Sequence, residues 1–294
     1  MSTPERIDLH THSDCSDGTL SPRALVAEAI RRQVRMLALT DHDTVAGCGA
    51  ALAACASAAA GAMAGGSSLP PLFIPGIELT CDWRGREIHV VGLDIAVGDA
   101  ALGAHIDGLR QLRRARLLAM GRRLDSAGLP GSELVKQILD VDTSATRMHL
   151  ARALVAGGQA SDTEQAFERW LKRGRPGHVP AQWPELAATV QCIRATGGLA
   201  VLAHPQRYTL SAGGLRELTA AFADCGGAGI EVSIAGMSPA DSSRLAALAR
   251  RHDLAGSVGS DFHEPGIPWR PVGRFAKLPD GIRPIHEELQ RRHP

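Results

Sequence analysis

Aromatic residues are nearly missing from this chain, with one tyrosine, five phenylalanines and four tryptophans making up 3% of 294 residues. That scarcity excludes an extended stacking platform for long single-stranded nucleic acid. Charge of one sign is missing too: 32 Lys and Arg face 31 Asp and Glu, for a formal net charge of +1. No global basic field is available to capture duplex DNA, so any anion binding must be local. The six cysteines never approach a Cys-x-x-Cys spacing, and the start MSTPERIDLH lacks a charged-then-apolar leader. The expectation is a cytoplasmic protein with reduced thiols. The longest apolar stretch, AALAACASAAAGAMAGG at 50–66, is mostly Ala and Gly with interrupting Ser. It is too weak for a membrane span and reads as a helix ending in a loop, with no role for the Ala/Gly-rich part at 60–70. Nothing points to a membrane or to a protein partner.

What is present is a chain that is 44% hydrophobic, enough for a sizeable core in one large domain or two modest ones. Short apolar runs alternate with amphipathic segments, the βαβ pattern. IDLHTH precedes Ser21-Pro22, an N-cap and first-turn pair that opens the helical RALVAEAIRRQV. The strand MLALT follows, then a helix from near Thr44, then the strand pair LFIPGIELTCDW and REIHVVGLDI around an Arg-Gly turn. After residue 181, PELAATVQCIRATGG, LRELTAAFADCGG and PADSSRLAALARRHDL read as helices between the strands GLAVLAHP, GIEVS and AGSVGSDFH. Residues 99–180 show helical periodicity alone. The layout is an α/β barrel or open parallel sheet in two parts, 1–98 and 181–294, around a helical insertion at 99–180.

Twelve histidines are notable in such a chain. Side chains two apart on a strand share a side, so His10-x-His12 delivers two imidazoles to one point. Strand C-terminal ends are where ligands bind in parallel α/β folds. The pattern recurs at Asp41-His42-Asp43, Glu78, His89, His204 and Asp261-x-His263, each expected at a strand end. A lone strand-end histidine is ordinarily a satisfied polar residue, and Asp17-Gly18 alone reads as a turn. One multinuclear metal site explains all six strand ends together. Imidazole and carboxylate without thiolate favour Mn²⁺, Zn²⁺ or Fe²⁺, and nine candidate ligands fit three ions. Cys15 and Asp14 are expected to stay outside the ligand set.

The successive motifs His10-Thr11-His12 with Ser16-Asp17-Gly18, Thr40-Asp41-His42-Asp43, Glu78, His89, Ala203-His204-Pro205 and Ser260-Asp261-Phe262-His263 resemble those of the PHP (polymerase and histidinol phosphatase) family. The resemblance implies a distorted (β/α)7 TIM-like barrel with a trinuclear metal centre at the C-terminal ends of its strands. Carried over by position, it makes His10, His12, Glu78 and Asp261 ligands of one ion. Glu78, His89 and His204 would hold a second, with Glu78 bridging, and Asp17, His42 and His263 a third. The family often has His where this chain has Asp17, which keeps an oxygen ligand and suits a harder ion such as Mn²⁺.

Within the insertion, Arg147-Met148-His149-Leu150, Trp170-Leu171-Lys172-Arg173-Gly174-Arg175-Pro176 and His178-Val179-Pro180 resemble one PHP branch, the nucleoside 3′,5′-bisphosphate phosphatases and ribonuclease AM. That branch removes the 3′-phosphate of a nucleoside 3′,5′-bisphosphate, and related members trim short RNA from the 5′ end. Divalent ions would activate water and neutralise phosphate oxygens. Arg147, His149, Arg175, Arg207 and His263 are candidates for holding the nucleotide, with His204 and His263 as candidate proton donors to the leaving sugar oxygen. Arg110, Arg113, Arg114, Arg116, Arg122 and Arg123 read mainly as a solvated helix face.

The expected function is therefore a phosphoric monoester hydrolase acting on a small nucleotide, with short RNA as a further substrate. A phosphatase for another small ester such as histidinol phosphate is the nearest rival. A non-catalytic metal-stabilised PHP module and an amide or lactone hydrolase on the same barrel stand further off.

Overall fold

A computed structural model describes residues 6–63, 69–141 and 145–293. The chain separates into two compact units, one built from the segments up to Gly103 and from Pro184 onward, the other from Ala104–Trp183. In the first unit seven strands pair in chain order: β1 (Ile7–Asp8), β2 (Met36–Leu39), β3 (Leu72–Trp83), β4 (Arg86–Leu93), β5 (Leu199–Leu202), β6 (Gly229–Ile234) and β7 (Ala255–Gly259). The seam between β7 and β1 is stitched by Leu9 N–H to Val258 O at 3.2 Å, Asp261 N–H to His10 O at 2.9 Å and His12 N–H to Phe262 O at 2.9 Å. Gly259 permits this closure, since a Cβ there would lie 2.5 Å from His10 Cβ. The result is a nearly closed seven-stranded barrel.

All neighbouring pairs are parallel except β3–β4 and β4–β5. The tight turn at Arg84-Gly85, both with positive φ, makes β3 and β4 a hairpin, so β4 alone runs backwards. This corrects the expectation that His89 ends a strand. It lies in the first half of β4, opposite Thr80, and comes near the mouth because its strand is inverted.

Helices follow the amphipathic segments: α1 (Pro22–Arg31), α2 (Cys48–Met63), α3 (Ala100–Ser126), α4 (Gly131–Val141), α5 (Arg147–Ala156), α6 (Thr163–Ala166, continued by a π turn over Phe167–Leu171), α7 (Leu186–Ala195), α8 (Ala212–Asp224), α9 (Pro239–Arg251) and α10 (Ile285–Arg292). Ser21 caps α1 through its hydroxyl, with Pro22 in the first turn. The second helix begins at Cys48 rather than near Thr44, after a turn closed by Cys48 N–H to Val45 O. It continues to Met63, so part of the stretch expected as a loop at 60–70 is helical, while 64–68 lie outside the described residues.

Ile7, Met36, Ile74, Val91, Val201 and Val258 of the barrel strands cluster with Ile285 and Leu289 of α10, a helix the periodicity reading left out. A second cluster joins Leu25 and Ala29 of α1 and Cys48 of α2 to Leu37 and Phe73. The helical unit has its own core around Leu117, Leu124, Val135, Leu150 and Leu171. No described helix is long and apolar enough to cross a membrane, and none of the six cysteines is in a disulfide.

Candidate metal centre

The chain after β1 stays fully buried through His12, and the Nε2 atoms of His10 and His12 come within 3.0 Å of each other. A turn over residues 13–18 then folds back on the strand. A Cβ at Gly18 would lie 2.6 Å from His12 O, so only glycine lets the turn close there. Asp41 fixes this turn by accepting from Ser13 N–H, Ser13 Oγ and Ser16 Oγ, each at 2.7 Å. Asp17 is thereby brought to His263 Nε2 at 3.3 Å and to His42 Nε2 at 3.8 Å. Asp43 likewise serves the backbone, accepting from Thr80 N–H at 2.7 Å. Three non-glycine residues in or beside the cluster have positive φ: Asp43 (50°), His204 (28°) and Asp261 (50°). Such strain is tolerated where surrounding bonds over-determine the backbone, and it concentrates at functional sites.

Glu78 is the hub. Its Oε1 lies 3.0 Å from His89 Nδ1 and 2.8 Å from His204 Nε2, and its Oε2 lies 3.0 Å from His42 Nδ1, 3.3 Å from His10 Nε2 and 3.4 Å from His12 Nε2. Asp261 Oδ1 faces His12 Nε2 at 3.3 Å and His10 Nε2 at 3.5 Å, while Oδ2 pairs with Arg207. Four overlapping sets offer ligand atoms all within 4.8 Å of one another: His12, Asp17, His42 and His263; His10, Glu78 and His204; His10, His12 and Asp261; His42, Glu78 and His89. All nine expected ligands fall in these sets. The grouping is more interlaced than the resemblance implied, with His12 also beside Asp17, and His42 also beside Glu78 and His89.

The donor set fits cations. Burial presses Glu78 toward its neutral form, but the charges of His42, His10 and His89 outweigh it and hold its carboxyl well below the usual range. Burial and the neighbouring imidazoles His263 and His42 push His12 down to about 3, leaving a lone pair rather than a proton. His12 Nδ1, His42 Nδ1, His204 Nδ1 and Glu78 Oε2 are buried and make no hydrogen bond. His42 Nδ1 and Glu78 Oε2, unmatched and 3.0 Å apart, stand as neighbouring ligands of one ion with ~2.1 Å bonds would. Two residues outside the expected set hold the ligands in place, and a third stands near them. Glu231 of β6 takes His10 Nδ1 at 2.7 Å and accepts from His204 N–H, which fixes the ring His10 turns toward the cluster. Tyr208, the one tyrosine, donates to Ala203 O and accepts from His89 N–H, both at 2.9 Å. Arg270 lies 4.0 Å from Asp261 Oδ2. A lone Glu inside the apolar run GIEVS was the available signal for Glu231, because a fully buried strand keeps a charge only with partners.

Arg147, His149 and Arg175 belong to the helical unit. Arg147 opens α5 with its guanidinium 5.9 Å from the Phe167 ring. His149 Nδ1 receives Thr146 N–H at 3.0 Å in a capping box. Arg175 stands exposed beside Arg123 and His178 around a small basic hollow. The arginine face of α3 is less solvated than expected: Arg116 is buried, donates to Val179 O at 2.9 Å and shares the Trp183 ring with Arg113. An aromatic ring and an open carbonyl draw it inward.

Residues 8–118 match the PHP domain family. The chain is 41% identical to the 5′-3′ exoribonuclease Rnm of Escherichia coli K12, over 95% of this chain and 92% of that protein. It is 39% identical to the 3′,5′-nucleoside bisphosphate phosphatase of Chromobacterium violaceum, over 97% of each. A solved structure described as an amidohydrolase from C. violaceum with bound SO4 and no metal superposes with a TM-score of 0.88 at 38% identity, covering 98% of this chain and 96% of that one.

Proposed function

Since the chain belongs to the PHP domain family, we propose that it is a metal-dependent phosphoesterase that removes the 3′-phosphate of nucleoside 3′,5′-bisphosphates and trims short 5′-phosphorylated RNA from its 5′ end. The observation that carries the reading is the cluster of six histidines around Glu78, Asp17 and Asp261, joined to relatives of both activities near 40% identity. His10, His12, Asp17, His42, Glu78, His89, His204, Asp261 and His263 would hold up to three divalent ions, with Mn²⁺ favoured by the oxygen ligand at Asp17. Bound there, such ions supply an activated water and neutralise phosphate and leaving oxygens.

The chain's own groups do the rest. Glu231 and Tyr208 fix the imidazoles beforehand, which lowers the reorganisation needed when substrate arrives. Arg207 stands beside Asp261, where a guanidinium can take oxygens of the reacting phosphate. Arg147 and Arg175 are assigned the second, non-reacting phosphate, and His149, on the same helix as Arg147, is assigned the nucleotide. Of the two histidines expected to donate a proton, burial holds His204 below the ordinary imidazole range. Burial also opposes the charge on His263, but Asp17 and Asp261 raise it to about 9. A ring that takes an ion gives up this proton, so ligation and proton donation compete at both histidines. The helical insertion at 99–180 is read as the substrate-binding cap, and the site of action as the cytoplasm.

The test is an assay of Mn²⁺-loaded protein against adenosine 3′,5′-bisphosphate, 5′-AMP, histidinol phosphate and a 5′-phosphorylated oligoribonucleotide. Phosphate release from the bisphosphate and shortening of the RNA are expected. Turnover of AMP and histidinol phosphate without turnover of the bisphosphate overturns the reading.

A further inference from the structure

Asp261 divides its two oxygens between different partners. Oδ1 faces the ring nitrogens of His10 and His12, while Oδ2 meets two guanidiniums, paired with Arg207 and 4.0 Å from Arg270 Nη1. A carboxylate oxygen has lone pairs for two donors, yet only Arg207 is within hydrogen-bond reach of this one. Arg207 takes it, and 4.0 Å is too long for Arg270 to hydrogen-bond it. The Arg270 guanidinium makes no hydrogen bond among the described residues, although its Nε is buried. Leaving a desolvated cationic donor unused is unfavourable, and placing it next to a second cation adds repulsion.

The position is nevertheless held firmly. Arg270 sits on a loop with prolines at 265, 268 and 271, and its own N–H is bonded to Ile267 O at 3.1 Å. Each proline fixes a φ angle, so little chain entropy remains for the side chain's base to explore. A stiff loop that carries a partly buried, unused guanidinium to the edge of a cation-binding cluster is built for an anion. The anion must be compact, with oxygens to share between two forks.

We propose that Arg270 is a second substrate-contacting arginine which, together with Arg207, receives the non-bridging oxygens of the phosphate being hydrolysed. This rests on the phosphoesterase reading above and adds a residue to it. Because the arginines flank a candidate ligand, their target is the reacting phosphate and not the second phosphate of a bisphosphate.

The experiment compares Mn²⁺-loaded wild type, Arg270→Met and Arg270→Lys. Calorimetry measures binding of inorganic phosphate, kinetics are taken with adenosine 3′,5′-bisphosphate and 4-nitrophenyl phosphate, and metal per chain is determined. Arg270→Met is expected to weaken phosphate binding and to lower kcat/KM for both esters by the same factor, about 10- to 100-fold, with metal content unchanged. Arg270→Lys recovers part of the loss, keeping the charge without the fork. Three results overturn the assignment: a loss confined to the bisphosphate, loss of metal in Arg270→Met, or no change in phosphate affinity. If the wild type fails to hydrolyse the bisphosphate while Arg270→Met still weakens phosphate binding, the substrate reading falls and the phosphate contact stands.

Discussion

His263 in the barrel unit and His178 in the helical unit are both partly buried imidazoles, and their surroundings push them in opposite directions. At His263 burial opposes the charged form, yet Asp17 and Asp261 overcome it and raise the group to about 9. At His178 burial and the guanidiniums of Arg116, Arg147 and Arg123 act together and lower it. The two units differ in the same sense throughout. The barrel buries Asp8, Asp17, Asp41, Asp43, Glu78, Glu231 and Asp261, whereas the buried ionic side chain of the helical unit, among the described residues, is Arg116. One unit buries negative charge and the other positive charge. A chain with almost no net charge thus carries two strong local fields of opposite sign.

Removing the hub of the negative field should have the largest effect. Glu78→Gln keeps the volume but takes away the oxygen pair that five histidines approach. Metal per chain should fall, and kcat for the bisphosphate should drop about a thousandfold or more. Full metal content with wild-type turnover would mean that the barrel's field is structural.

On the positive side, Arg147→Ala should act on specificity. If Arg147 holds the second phosphate, kcat/KM for adenosine 3′,5′-bisphosphate falls about 10- to 100-fold while 4-nitrophenyl phosphate turns over as before. The same substitution removes one of the charges on His178, so that ring should titrate closer to its ordinary value by NMR. An unchanged substrate ratio with a shifted His178 would leave the field real and Arg147 outside the substrate site.

These two fields were not equally legible in the sequence. His10-x-His12 could be read because strand periodicity alone aligns two imidazoles, and the remaining candidates sat next to apolar runs that a barrel must bring together. The direction of β4 was implied by the Arg-Gly turn, yet His89 was still read as ending a strand, since a lone apolar run carries no polarity. Tyr208 and Arg270 were not found, because their neighbours at the cluster are brought up across the barrel and neither stands in a local pattern, and Glu231 was missed although a lone charge in an apolar run marked it. The sharing of His12 and His42 between ligand sets depends on differences of an ångström between side chains far apart in sequence. In the helical unit, periodicity gave the helices. It could not show that Trp183 draws Arg116 out of the solvated face.

The smallest effect, and the finest test of the contrast, is the pH response of the metal-free protein. His263 has a folded value of about 9 against an ordinary value of 6.5. A group raised on folding stabilises the fold fully below its unfolded value and loses that contribution as pH rises through the folded one. After chelation, wild type should therefore have a higher Tm than His263→Ala at pH 6, and the gap should narrow between about pH 6.5 and pH 9. Metal binding requires the same proton to leave, so affinity for Mn²⁺ should climb over the same interval. His178 predicts the reverse sense for the helical unit: lowered on folding, it opposes stability where the unfolded ring is protonated, and His178→Gln should matter less as pH rises above 6.5. A gap at His263 that widens with pH would show that Asp17 and Asp261 do not hold its proton, and the opposition between the two units would lose its clearest pair.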